Sequence, residues 1–499
     1  MQSISSGGPG RNPDLFYSLT ILSSGMDDPQ PFCLGGRWKS SPDTSPVINP
    51  YTGKTFATVC LGSQSDLLAA AATAAGSFQE TRTLPLYARK KILHTIAALI
   101  EERREELVST LIHEGGKVRK VADGEVSRAI ETIMISAEEA GQITGKILSL
   151  DRTPGGKGHT GYLTRVPLGP ILAITPFNYP LNLACHKIGP AIAVGAPFLL
   201  KPATATPLSS LILARIILAA GYPKEAVSVV PAPGKVADSI ISDERFGYLS
   251  FTGSPDVGWD IKNRAGRKKV GLELGGNAAV IICSDSDPDY AASRIVAGGF
   301  VNAGQNCVSV QRVLIESPVY AEIEEKILSG VRELKVGDPA DPDTDVGPMI
   351  SADAATIAEE SIRSALLRGA RLSAGGERSG ALLPPTVLSD VDPTFEISCR
   401  ELFAPIILLT SFETVDEAIR IVNSSTYGLQ AGIFSDSLRT IRKAFNAIDV
   451  GSLLVNDIPT FRVDEMPYGG VKGSGIGREG PKYAIREMTV EKMLVMNER

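Results

Sequence analysis

One cysteine of this chain stands where a thiol can react. Cys307 lies in the loop Gly304-Gln305-Asn306-Cys307-Val308-Ser309, between a helical run over 290–302 and an apolar run over 308–315. A thiol on such a junction is held stiffly without being buried in a helix face, which suits a nucleophile. A lone cysteine is more often a small buried hydrophobe. Cys307 differs in the company of two other segments, Thr175-Pro176-Phe177-Asn178 and Leu272-Glu273-Leu274-Gly275-Gly276.

A second piece of chemistry lies in Leu249-Ser250-Phe251-Thr252-Gly253-Ser254-Pro255-Asp256-Val257-Gly258, which reads as strand, glycine turn and capped helix start. Free backbone N–H groups and the positive end of a helix dipole suit a pyrophosphate. The spacing lacks the full GxGxxG fingerprint, and such a turn alone is more often plain N-capping. Lys201, at the end of the strand Phe198-Leu199-Leu200, is within reach of ribose hydroxyls; a solvated lysine is the plainer reading.

The elements that must position these groups follow from the pattern of apolar residues. Strand-like runs at 33–38 and 55–60 bracket the turn Asn49-Pro50-Tyr51-Thr52-Gly53. Ser65-Asp66 offers an N-cap for an Ala-rich helix over 67–78. Ile92, Ile96, Leu99, Ile100 and Leu107 keep helical spacing through 86–115, and 123–141 reads as a further helix. The turn Pro154-Gly155-Gly156-Lys157-Gly158 separates extended arms at 146–152 and 161–166, a protruding hairpin. After Pro167 strands (169–175, 197–200, 226–230, 248–251) alternate with helices (182–194, 207–220, 236–242, and one capped by Ser254). That rhythm predicts a parallel, doubly wound sheet with its ligand at the carboxyl ends of the strands. A strand over 270–274 leads into a second such unit from 278 onward, with 395–410, a helix over 413–423 and a strand over 451–455. The fold class is α/β, two doubly wound domains without internal repeats.

Composition bounds the partners. The 499 residues suffice for two or three domains, and 43% hydrophobic with 21% charged residues is an ordinary globular mixture. A net charge of -6 gives no general nucleic-acid footprint. Six cysteines (33, 60, 185, 283, 307 and 399) without a CxxC pair, and only four histidines, argue against zinc. They fit a reduced, cytoplasmic setting. Residues 1–25, rich in Ser, Gly and Pro, read as a mobile tail. Its apolar stretch 15–22 is preceded by Arg11 alone and interrupted by Ser18 and Thr20, a weak export signal, and Met26 is a candidate working start. Other apolar stretches are too short or, like 208–220, contain an arginine (Arg215), so no membrane span is expected.

Taken together the segments resemble the aldehyde dehydrogenase superfamily, from about residue 32 to 492. They occur in the family's order: Thr175-Pro176-Phe177-Asn178-Tyr179-Pro180, Lys201-Pro202-Ala203, Phe251-Thr252-Gly253-Ser254, Leu272-Glu273-Leu274-Gly275-Gly276, Gly304-Gln305-Asn306-Cys307, Glu401-Leu402-Phe403-Ala404-Pro405, and Pro467-Tyr468-Gly469-Gly470-Val471-Lys472-Gly473-Ser474-Gly475. The resemblance implies a Rossmann-like NAD(P)-binding domain (26–145 and 167–272), a catalytic domain (273–476) and a small β oligomerisation element (146–166 and 477–499). It also implies a homodimer or homotetramer. By the same resemblance Cys307 attacks the aldehyde, Asn178 and the Cys307 N–H hold the oxyanion, and Glu273 activates the water that releases the acid from a thioester. Lys201 and Glu401 fall to the two riboses, Gly253 and Ser254 to the diphosphate, and Phe403 to the nicotinamide; Thr175 and Phe177 join this cofactor set. Many NAD-preferring relatives carry Glu where this chain has Thr204. A carboxylate there repels a 2′-phosphate, so Thr204 implies that NADP is accepted beside NAD.

For the substrate, Arg128 and Arg462 fall on the helix and the mouth that line the family's tunnel, with Tyr179 beside them. Two cations in one pocket suit a phosphate or carboxylate on the aldehyde; ordinary surface ion pairs are the plain alternative. Here the chain is similar to the non-phosphorylating glyceraldehyde-3-phosphate, lactaldehyde and phosphonoacetaldehyde branch. Asn306 and Val301 stand where some anion-selective and succinic semialdehyde enzymes carry Arg. Three other readings stay open: a CoA-acylating enzyme, a thiol esterase, and a non-catalytic binding protein.

Overall fold

The computed structural model describes residues 28–498; the expected tail over 1–25 lies outside them. Two sheets carry the molecule. In the first, eight strands run in the order Arg37–Lys39, Phe32–Leu34, Val227–Val229, Phe198–Lys201, Ile171–Ile174, Tyr248–Thr252, Lys269–Glu273 and Gly475–Ile476. The five from Val227–Val229 to Lys269–Glu273 are mutually parallel. Their apolar runs are buried on both faces, as helix-covered parallel strands require. Seven strands form the second sheet, with Thr386–Ser389, Ile406–Phe412, Arg312–Glu316, Ala279–Ile282, Gln430–Phe434 and Ser452–Val455 in parallel and Arg371–Ala374 antiparallel at one edge. A third, antiparallel sheet of Lys146–Ser149, His159–Pro167 and Thr489–Asn497 stands apart.

The α/β class and the strand–helix alternation match the expectation. Three local details differ. Ser63, not Ser65, caps the Ala-rich helix Gln64–Arg82, in a reciprocal capping box with Asp66. The run over 86–115 is two helices, Leu86–Glu102 and Arg104–Gly115, joined at Arg103. The strand Gly475–Ile476 leaves the second unit and pairs antiparallel with the first sheet, Glu273 opposite Gly475. Among the described residues no helix is long and apolar enough to cross a membrane, and no group of three or more His, Cys, Asp or Glu could hold a metal ion.

Candidate active site

A cleft of about 500 Å³ opens at the carboxyl ends of the first sheet's parallel strands. Thr175, Phe177, Asn178, Lys201, Thr204, Gly253, Ser254, Glu273, Cys307, Glu401, Phe403 and Arg462 line it. Arg128 and Tyr179 are not on its wall. Tyr468 and Glu479 are, and the sequence reading gave neither a role, although Tyr468 sits inside the segment Pro467-Tyr468-Gly469-Gly470. A larger hollow, about 680 Å³, lies elsewhere, between the third sheet and the helix Pro481–Glu487.

The loop that presents Cys307 is strained and locked. The helix Pro288–Phe300 ends, and Asn302, Ala303 and Gly304 follow with φ of 54°, 53° and 68°. Two non-glycine residues in that region cost roughly 1–3 kcal/mol each. Hydrogen bonds hold the turn: Asn302 Nδ2 donates to Asn178 O (3.3 Å), and Gln305 Oε1 accepts from Ile350 N (2.8 Å). Only glycine fits at 304, where a Cβ would lie 2.0 Å from Ala404 O. The Cys307 sulfur comes within 2.8 Å of Tyr468 Oη. Burial pushes its thiol up to about 12, partly offset by the Tyr468 hydrogen bond and by Arg462. Its backbone N–H meets no acceptor among the described residues.

Asn178 lies two residues before the start of the helix Pro180–Val194, next to its N-cap Tyr179. Its Nδ2 donates to Gln305 O at 3.0 Å, leaving the second amide hydrogen for a ligand. Glu273 ends the strand Lys269–Glu273 and is buried, its Oε2 without a hydrogen-bond partner among the described residues. Burial, then the charge of Glu479, push its carboxyl well above the usual range, against Arg462, Lys187 and Arg478. Glu479 is held low although burial opposes it; His186, Arg462 and Lys187 outweigh the burial. Burial also pushes the His186 imidazole down, so near neutrality the Arg462 guanidinium, 2.8 Å away, bears the main part of that balance.

Toward the outer cleft, Lys201 ends its strand with its ammonium pushed down by burial and no neighbouring charge or hydrogen bond offsetting it. Ser254 starts the helix Pro255–Arg264 without capping it through its side chain. A buried cation without a partner among the described residues, lining the same cleft as an uncapped helix start, fits the phosphates and ribose of a dinucleotide. Glu401 accepts from Gly276 N (3.1 Å), and burial pushes it up to about 7. Phe177 and Phe403 meet edge to face, 5.7 Å apart.

Both arginines have carboxylate partners. Arg128 Nη2 lies 2.7 Å from Asp464 Oδ1, and Asp464 also accepts from Thr132 Oγ1 at 2.9 Å. Arg462 donates to Glu479 and stacks on the Tyr468 ring at 3.8 Å, while its Nε lies 3.7 Å from Asp464. Arg128 remains 32% exposed and Arg462 9%. Tyr179 lies under Lys117, whose Nζ is 3.7 Å from the ring centre.

Comparison with known proteins agrees with this geometry. Residues 38–494 match the aldehyde dehydrogenase family. The 3-sulfolactaldehyde dehydrogenase of Priestia aryabhattai is 41% identical over 465 residues, 93% of this chain and 97% of that protein. Aldehyde dehydrogenase 21 from Physcomitrella patens, solved with the reaction product succinate, superposes with a TM-score of 0.91 at 40% identity, covering 94% of this chain and 99% of that one. Glyceraldehyde-3-phosphate dehydrogenase GapN from Methanocaldococcus jannaschii, solved with NADP, gives 0.88 at 36%, covering 92% and 100%. The chain belongs to the aldehyde dehydrogenase family, and it is an NAD(P)-dependent enzyme that oxidises an aldehyde to its acid.

Proposed function

We propose that Cys307 is the nucleophile of this oxidation, and that the substrate is a small hydroxy-, phospho- or otherwise anionic aldehyde. The observation that carries the first part is the convergence of Cys307, Asn178 and Glu273 on one cleft. Sulfur attack places negative charge on the former carbonyl oxygen. The free hydrogen of Asn178 Nδ2 and the Cys307 N–H are the donors for that oxyanion, and one such donor is worth about 10²–10³ in rate. NAD(P)⁺, when bound, would accept the hydride that leaves the former carbonyl carbon as the oxyanion collapses, which leaves Cys307 as a thioester. Lys201, Glu401, Gly253, Ser254, Thr175, Phe177 and Phe403 line the cleft and would hold and orient it, and Thr204, which carries no charge, would accommodate a 2′-phosphate. Water then attacks the Cys307 thioester. Glu273 Oε2, without a hydrogen-bond partner among the described residues, takes its proton, and the thiolate leaves.

The anionic substrate rests on Arg128 and Arg462, which meet at Asp464, with Tyr179 nearby; relatives named for sulfolactaldehyde and sulfoacetaldehyde point the same way. Glu273 at the cleft favours hydrolysis over acyl transfer to CoA. We assign 26–145 with 167–272 to cofactor binding, 273–476 to catalysis, and 146–166 with 477–499 to assembly as a homodimer or homotetramer. The exposed Ile147 (72%) and Leu494 (60%) on the third sheet support that assembly. A cytoplasmic setting is consistent with six free cysteines.

The test is Cys307→Ala. NAD(P)⁺-linked oxidation of glyceraldehyde 3-phosphate, lactaldehyde and succinic semialdehyde should vanish, and retained oxidation overturns the nucleophile.

A further inference from the structure

We propose that Tyr468 is a catalytic residue of this enzyme: its phenolic hydroxyl donates a hydrogen bond to the Cys307 thiolate, and Arg462, stacked on its ring, strengthens that donor. The proposal rests on Cys307 being the nucleophile. Its geometry is direct. Tyr468 Oη lies 2.8 Å from Cys307 Sγ, closer than ordinary contact between oxygen and sulfur, and the Tyr468 side chain is buried. The Arg462 guanidinium lies 3.8 Å from the ring centre and is itself fixed by Glu479. A cation over the face of a phenol withdraws charge from the ring and makes its O–H a stronger donor. A phenylalanine would fill the same space, so the hydroxyl is the part that packing leaves unexplained.

The other charged and titratable groups near the sulfur come from four separate segments, Tyr179 among them. Arg462 favours the thiolate; Glu401 and Glu273 oppose it. Among the described residues, the side chains that meet the sulfur are the Tyr468 hydroxyl and the Asn306 Oδ1, and of these Tyr468 is the one that can donate to negative sulfur. Tyrosine keeps its proton throughout: burial holds the phenol well above its ordinary value, so it donates a hydrogen bond and does not ionise. As sulfur forms the C–S bond its charge passes to the carbonyl oxygen and the hydrogen bond relaxes. When water later cleaves the thioester, the C–S electron pair returns to sulfur and the same hydroxyl receives it. One donor therefore serves the nucleophile and the leaving group.

The test titrates the thiol without substrate, by following inactivation of the full-length enzyme with iodoacetamide against pH. Tyr468→Phe keeps the ring under Arg462 and removes only the hydroxyl. The midpoint should rise by about one pH unit, so that inactivation at neutral pH slows roughly tenfold. Arg462→Lys, which leaves the hydroxyl but loses the planar stack, should move the midpoint in the same direction by less. Deacylation, followed as decay of the acyl-enzyme after a single turnover, should slow in Tyr468→Phe as well. A Tyr468→Phe midpoint equal to that of the unaltered enzyme overturns the proposal. Its failure is distinct from failure of the nucleophile assignment, which Cys307→Ala decides by loss or retention of aldehyde oxidation.

Discussion

Glu479 and Glu273 share one buried cluster of cations, and Arg462 pairs with Glu479, 2.8 Å away. Negative charge therefore settles on Glu479, and Glu273 retains a proton to a higher pH than a carboxyl ordinarily does. A base must be ionised to act, so turnover limited by deacylation should rise with pH through a midpoint well above about 4.3, the value of a free glutamate. Glu479→Gln removes the opposing charge and leaves Arg462 and Lys187 to favour ionised Glu273. The midpoint should fall by about one pH unit. The pH dependence of kcat checks this, and an unmoved acid limb contradicts it.

Asn178 gives one amide hydrogen to Gln305 O and has one to spare. Asn178→Ala should lower kcat about 10²–10³-fold. Dinucleotide affinity, measured by fluorescence quenching, should stay within about threefold, because that amide is assigned to the oxyanion. A variant that lost affinity but kept its turnover would remove Asn178 from the chemistry.

Arg128 is tied to Asp464 through one nitrogen and is partly exposed, so its remaining donors can meet an anion. Arg128→Ala should reduce kcat/KM for an anionic aldehyde by roughly 10–100-fold, the worth of a charge-assisted hydrogen bond. With propanal the loss should be under about threefold. Equal losses for both would show that Arg128 only holds Asp464 in place.

Thr204 carries no charge beside the cofactor cleft. Thr204→Glu should raise KM for NADP⁺ at least about tenfold by repelling a 2′-phosphate, with NAD⁺ little affected. Initial rates with both cofactors decide it, and a parallel change in the two would rule out contact with that phosphate.

Much of this architecture is legible in the chain because buried parallel strands are short apolar runs closed by Gly or Pro. Ile171–Ile174, Phe198–Lys201 and Tyr248–Thr252 are of this kind, with helices between them. The break at Arg103 is not, since Leu99, Ile100 and Leu107 keep helical spacing across it. Cys307, Asn178 and Glu273 stand out through their segments. Tyr468 and Glu479 do not, because what gives them importance is contact with residues distant in sequence. The carboxylate partners of the arginines are hidden for the same reason: Asp464 is two positions from Arg462, yet it also reaches Arg128 on a helix of the other lobe.

The two-residue strand Gly475–Ile476 lies on the first sheet beside Leu272 and Glu273, with Tyr468 just before it and Glu479 just after. The segment that carries the thiol's partner and the second acid is thus stitched to both lobes, by Gly475–Ile476 on the first sheet and by Val471–Lys472 on Tyr427–Gly428. Glycine at 475 is obligatory, since a Cβ there would sit 2.0 Å from Leu272 O. Loosening these short pairings would disarm the enzyme while both large sheets stayed folded, so catalysis should fail at milder denaturing conditions than global structure does.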